Sequence, residues 1–140
     1  MNEFFARLHH PQLGYRLLAF TVAVLMLFHG VSKLINGVGG IPGMVSGFGL
    51  PSFLGYAVYL GEVVAPLFVL SGFFVAPAAL VMAINMVVAL SLAHVPQLFT
   101  LNTRTGGYAL ELQAFYFFGS IAIALLAPRR GHVLSSTQKR

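Results

Sequence analysis

The sequence predicts an all-α, four-helix transmembrane bundle with both termini cytoplasmic. Three observations lead there. The 140 residues are 58% hydrophobic and only 8% charged, with a mean hydropathy of +0.86. A soluble domain carries about 25% charged residues, so this chain lacks the polar surface to dissolve as a globule. Four apolar runs follow one another at 15–35, 53–72, 74–95 and 107–127. Each is close to the ~20 residues that a helix needs to cross hydrocarbon. Finally, six of the eight Lys/Arg lie near the two ends: Arg7, Arg16, Arg129, Arg130, Lys139 and Arg140. The positive-inside rule puts both ends in the cytoplasm, which requires an even number of crossings. The length allows one membrane domain, 1–140.

The elements follow in order. Residues 1–12 set Phe4, Phe5 and Leu8 beside Arg7, His9 and His10, a short amphipathic segment for the inner surface. The first apolar run ends without a small-residue cleavage site and reads as a signal anchor. The first outer connection, 36–52, holds six glycines and two prolines, yet also Ile41, Met44, Val45, Phe48 and Leu50. So apolar a loop should fold back over the bundle mouth or lie in the interface. The bland alternative is a greasy linker. The second and third runs meet with almost no linker at Ser71 and Gly72, which forces an antiparallel hairpin. Pro77 falls early in the third helix, where its missing N–H costs least. Pro96 ends that helix, and Pro128 ends the fourth, with Arg129 and Arg130 beyond it. The second outer connection, 96–106, is more polar, with Asn102, Thr103, Arg104 and Thr105.

The three acidic residues are Glu3, Glu62 and Glu111, and the last two sit in apolar runs. An ionisable group at mid-membrane costs roughly 2.5–3.5 kcal/mol, so it is a functional candidate by default. His29 and Lys33 are spaced i, i+4 and share a face of the first helix. His94 lies near the outer end of the third helix, with Asn85 central in it. Glu62 is near mid-membrane, and Glu111 about one turn below the outer surface. One cavity open to the outer side is expected to contain them. Pro66, four residues after Glu62, removes the hydrogen bond that the Glu62 carbonyl would accept, so the helix should bend there. Tyr59 and Tyr108, each three residues before a glutamate, add hydroxyls to the same faces.

Each candidate has a structural alternative. Lys33 can snorkel to the interface, His94 can mark a helix end, and Glu62 can form a purely structural ion pair. Asn85 reads as helix-packing glue. His9, His10 and His132 read as solvated, and the cluster of Phe115, Tyr116, Phe117 and Phe118 as lipid-facing or core.

The chain has no cysteine, which excludes disulfides, thiol catalysis, covalent haem attachment and iron–sulfur ligation. No flavin or nucleotide motif is present, so such a cofactor would belong to a partner. Two histidines and two carboxylates from four helices offer no local ligand spacing, so no metal site is assigned. A small amphiphile such as a quinone suits the set better. Glu62 and Glu111 would carry protons as the catalytic carboxylates. His29, Lys33, His94, Tyr59 and Tyr108 would hold the head group.

In this order and at these depths, several pieces resemble the DoxX family of small four-helix membrane proteins. They are His29-Gly30-x-x-Lys33-Leu34, Gly49-Leu50-Pro51, Glu62, His94, and Gly106-Gly107-Tyr108 with Glu111. The resemblance implies the four-helix fold and an inner (plasma) membrane location. The family's namesake resembles the membrane subunit of a thiosulfate:quinone oxidoreductase, and relatives are linked to redox-stress complexes. A quinone-linked redox subunit with a soluble or membrane oxidoreductase partner is therefore the leading expectation. A non-enzymatic assembly subunit, a homo-oligomer and a small proton or solute transporter stay open beside it. The charges are few and divided between the ends, so nucleic acid is not an expected partner.

Overall fold

The computed structural model describes residues 9–128. Residues 1–8 and 129–140 lie outside the described part. With them go most of the N-terminal amphipathic segment, Arg7, the Arg129 and Arg130 anchor, and His132.

Among the described residues the fold is all-helical, with one isolated β-bridge and no strand. Helix α1 spans Pro11–Asn36, and a short α2 spans Ile41–Gly47. Helix α3 runs Ser52–Ser71, opening with a 3₁₀ segment and passing through a π-helical turn at Leu60–Val64. Helix α4 runs Val75–Gln97, with a second π-turn at Leu90–His94. Helix α5 spans Glu111–Leu126. Helices α1, α3 and α4, of 26, 20 and 23 residues, are long and apolar enough to cross a membrane. At 16 residues α5 is shorter, about 24 Å at 1.5 Å per residue.

Pro11 occupies the first turn of α1, where it lacks nothing that the helix would use. Its fixed φ starts the helix four residues before the apolar run. At the other end of the chain the shift is opposite, and α5 begins at Glu111 and not at 107. Leu101 pairs with Tyr108, the Asn102 N–H reaches the Gly107 carbonyl at 2.8 Å, and the Ala109 N–H reaches Thr100 at 3.1 Å. Asn102 Oδ1 also accepts the Arg104 and Thr105 N–H groups. These bonds hold residues 100–109 as a tight hairpin and postpone the helix. Between α3 and α4, Gly72 adopts φ +72° and the Phe73 N–H closes onto the Phe68 carbonyl at 3.1 Å. That left-handed cap reverses the chain at once.

The helices pack in the cyclic order α1, α3, α4, α5. The core is narrow and built of small or unbranched side chains: Ala19, Val22, Ala23 and Met26 meet Ala65, Val69, Ala79, Met82 and Met86, with Tyr116 and Ile123 from α5. Around it the outer faces carry Leu17, Phe20, Phe28, Leu67, Ile84, Phe118 and Leu125, all exposed. A core of this modest size ringed by large apolar side chains is what a lipid environment permits and water does not. The apolar connection between α1 and α3 folds back over the bundle, and α2 packs against the start of α3. A Cβ at Gly55 would lie 2.9 Å from the Pro42 backbone, which measures how closely α2 is seated.

Candidate functional site

The site starts from two close helix contacts. A Cβ at Gly30 of α1 would overlap the Glu62 carbonyl, and one at Gly61 of α3 would overlap Asn85 of α4. Glycine at both positions draws three helices together at one depth. Lys33, one turn beyond Gly30, then donates from Nζ to Glu62 Oε2 at 2.5 Å. The carboxylate is nearly enclosed: Glu62 is 5% exposed. The Tyr59 hydroxyl donates to the Lys33 carbonyl at 3.0 Å and fastens the end of α1 to α3.

Glu62 sits in the middle of a π-turn, and Pro66 follows two residues after that turn ends. A proline deletes one backbone donor, and a π-turn widens the helix by one residue where donors are missing. The second π-turn, Leu90–His94, stands in the same relation to Pro96. The irregularity expected at Pro66 takes the form of a π-turn, and the same arrangement occurs twice. Both widened turns face one cavity.

That cavity encloses about 450 Å³ between α1, α3, α4 and α5. Its polar lining is His29 and Lys33 from α1, Glu62 from α3, Asn85 and His94 from α4, and Gln113 and Tyr116 from α5. The remainder is largely apolar, and α2 contributes Ile41, Met44 and Val45. His29 meets the edge of the Tyr116 ring at 5.7 Å and 90°. His94 bonds Gln97 through Nδ1 at 3.1 Å. The Asn85 Nδ2 is buried and finds no hydrogen-bond partner among the described residues.

Five residues that the sequence singles out therefore meet in one cavity: His29, Lys33, Glu62, Asn85 and His94. Three others lie apart. Glu111 is exposed at the first residue of α5, its carboxylate folded back over Gly107 near the helix N-terminus. Tyr108 is exposed, and its hydroxyl donates to the Leu98 carbonyl at 2.8 Å. Tyr59 holds backbone and does not line the cavity. Conversely, Tyr116 and Gln113 line the cavity without having been picked out. Tyr116 hides in a run of four aromatics, where only its hydroxyl distinguishes it. Among the described residues no group of three or more His, Asp or Glu is placed to hold a metal ion.

The chemistry available is specific. An ammonium and a carboxylate share one bond, and the ammonium keeps two further donors. Two imidazoles and an amide surround them, so the site can both accept and donate protons toward a polar head group. The apolar walls would hold a ring or chain.

A family model described as DoxX matches residues 14–95, which is more than half of the chain and includes all five of these cavity residues. No curated protein and no solved structure matches the sequence.

Proposed function

The chain belongs to the DoxX family of small membrane proteins, and from that premise we propose that it is the membrane subunit of a quinone-linked redox system. The observation that carries the proposal is the Lys33–Glu62 pair in the wall of a largely apolar cavity. A fully structural ion pair needs no cavity beside it. A site for a lipid-soluble redox carrier needs both parts, a proton-exchanging polar end and a greasy enclosure. Glu62 takes and returns the quinone's protons, Lys33 balances the charge that develops on the head group, and His29 and His94 bond its oxygens. Glu111 lies outside that set, as a carboxylate on the outer surface.

In this proposal α5 is the fourth crossing, both termini are cytoplasmic, and the membrane is the inner (plasma) membrane. The Arg/Lys excess at the chain ends supports that orientation. The cavity is built from the end of α1, the start of α3 and the end of α4, so it opens toward the outer side. Electrons come from a partner oxidoreductase.

Glu62→Gln keeps the shape and removes the charge. It is expected to weaken quinone binding by about tenfold or more, since a charge-assisted bond contributes about 1.5–3 kcal/mol. Equilibrium binding of a soluble quinone analogue to the purified protein measures this, and unchanged affinity ends the proposal.

A second reading has its own support. The same ion pair ties α1 to α3, as it would in a non-enzymatic assembly subunit. That reading expects Glu62→Gln to lower protein yield and complex formation together, with no quinone binding in the parent protein.

A further inference from the structure

The cavity is not closed on all sides. On α4, Val81, Ile84, Asn85 and Val88 recur at i, i+3, i+4 and i+7, which makes them one face. All four line the cavity. Yet Ile84 is 62% exposed, and Val81 and Val88 are exposed as well. Across from them on α3, Leu60 both lines the cavity and is 56% exposed. The face therefore runs from the polar interior to the outer surface of the bundle, between α3 and α4. In a membrane that surface meets acyl chains, not water.

The polar end of this groove holds an unmet demand. Asn85 Nδ2 is a buried donor without a partner among the described residues, and Gly61 places it directly beside the turn that carries Glu62. An unpaired buried donor is costly, and an acceptor oxygen entering the cavity recovers that cost. The occupant must then offer an acceptor at one end and tolerate hydrocarbon at the other. A water-soluble anion fails the second condition, and an alkane fails the first.

We propose that the groove between α3 and α4 is a lateral entrance from the bilayer for an amphiphile whose head accepts a hydrogen bond from Asn85. Its chain leaves past Leu60 and Ile84 into lipid. This deepens the redox proposal and rests on it: it makes the substrate the membrane-dissolved, chain-bearing form of a quinone, entering sideways. It also turns Asn85 from packing glue into a binding residue.

The test uses the full chain in lipid nanodiscs with two probes, a tailless dimethoxy-methyl-benzoquinone and its decyl-chain derivative. Ile84→Trp plugs the groove at an exposed position, and Asn85→Leu removes the donor at similar volume. Ile84→Trp is expected to weaken the decyl probe about tenfold and the tailless one by no more than about twofold. Asn85→Leu is expected to weaken both. If the parent protein binds neither probe, the redox proposal falls and takes this one with it. If both probes bind but ignore Ile84→Trp, only the lateral entrance is overturned. If Ile84→Trp instead changes the oligomeric state by size-exclusion chromatography, the groove belongs to a second copy and the entrance is overturned likewise. An Asn85→Leu variant that folds and binds as before removes Asn85 from the site.

Discussion

The Lys33–Glu62 pair illustrates why charge inside an apolar bundle has to be read as a pair. Glu62 alone would be untenable at 5% exposure, and its stability depends on the ammonium 2.5 Å away. Breaking such a pair typically costs more than replacing both members, because the remaining charge stays buried without compensation. Lys33→Met is therefore expected to destabilise the protein by about 3 kcal/mol, with most of that recovered in Lys33→Met/Glu62→Leu. Thermal unfolding in one detergent, followed by loss of monodisperse protein, ranks the three chains. A double variant no more stable than Lys33→Met would mean that the pair is too solvated to matter. At this scale much of the site was legible. His29, Lys33, Glu62, Asn85 and His94 stand out because polar groups in apolar runs are few. Glu111 and Tyr108 stand out for the same reason yet sit outside the cavity. The hairpin at 100–109 rests on backbone bonds and an Asx turn that hydropathy does not register. Tyr116 is masked by its neighbours Phe115, Phe117 and Phe118, among which only its hydroxyl is distinctive.

At the scale of elements, the two prolines explain more than their helix-breaking reputation suggests. Pro66 and Pro96 each follow a π-turn by two residues, and each π-turn supplies cavity lining. The widened turns carry Glu62 and His94 within helices that continue past them. A proline in an apolar run was visible in the sequence, but whether it bends, ends or widens a helix depends on what satisfies the freed carbonyl, and a neighbouring helix decides that. Pro66→Ala restores the missing N–H. The helix is then expected to regain regular α geometry, leaving stability unchanged or improved, while Glu62 turns away from Lys33 and quinone affinity falls. Parallel melting and binding curves would show stability and affinity moving apart. A loss of both together would contradict this view of the turn. The connection at 36–52 teaches a similar lesson. Its apolar residues indicated that it would cover the bundle mouth or lie in the interface, and Ile41, Met44 and Val45 do line the cavity. The seven-residue helix that carries them was hidden by the surrounding glycines.

For the molecule as a whole, the division between a thin core of alanine and methionine and a broad apolar exterior is the physical basis of the membrane assignment. Composition alone carried it, because no arrangement of 8% charged residues can solvate such an exterior. Topology is less directly written. It rests on where the Lys/Arg lie, and α5 at 16 residues is the shortest of the four long helices. The absence of native cysteine gives a clean test. Single cysteines at Ser46 and Thr103 are expected to react with a membrane-impermeant maleimide applied to intact cells, while cysteines at Gln12 and Ala127 react only after permeabilisation. Thr103 and Ala127 reacting from the same side would mean that α5 does not cross.

In the proposed function a quinone head group sits beside Glu62 in the cavity between α1, α3, α4 and α5. The most direct measurement is photo-crosslinking with an azido-quinone in membranes, followed by peptide mapping. Label is expected in peptides containing residues 26–33, 54–62 and 81–94, competed away by unlabelled quinone and lost in Glu62→Gln. Label spread over the lipid-facing helices, or equal in Glu62→Gln and the parent chain, would contradict it.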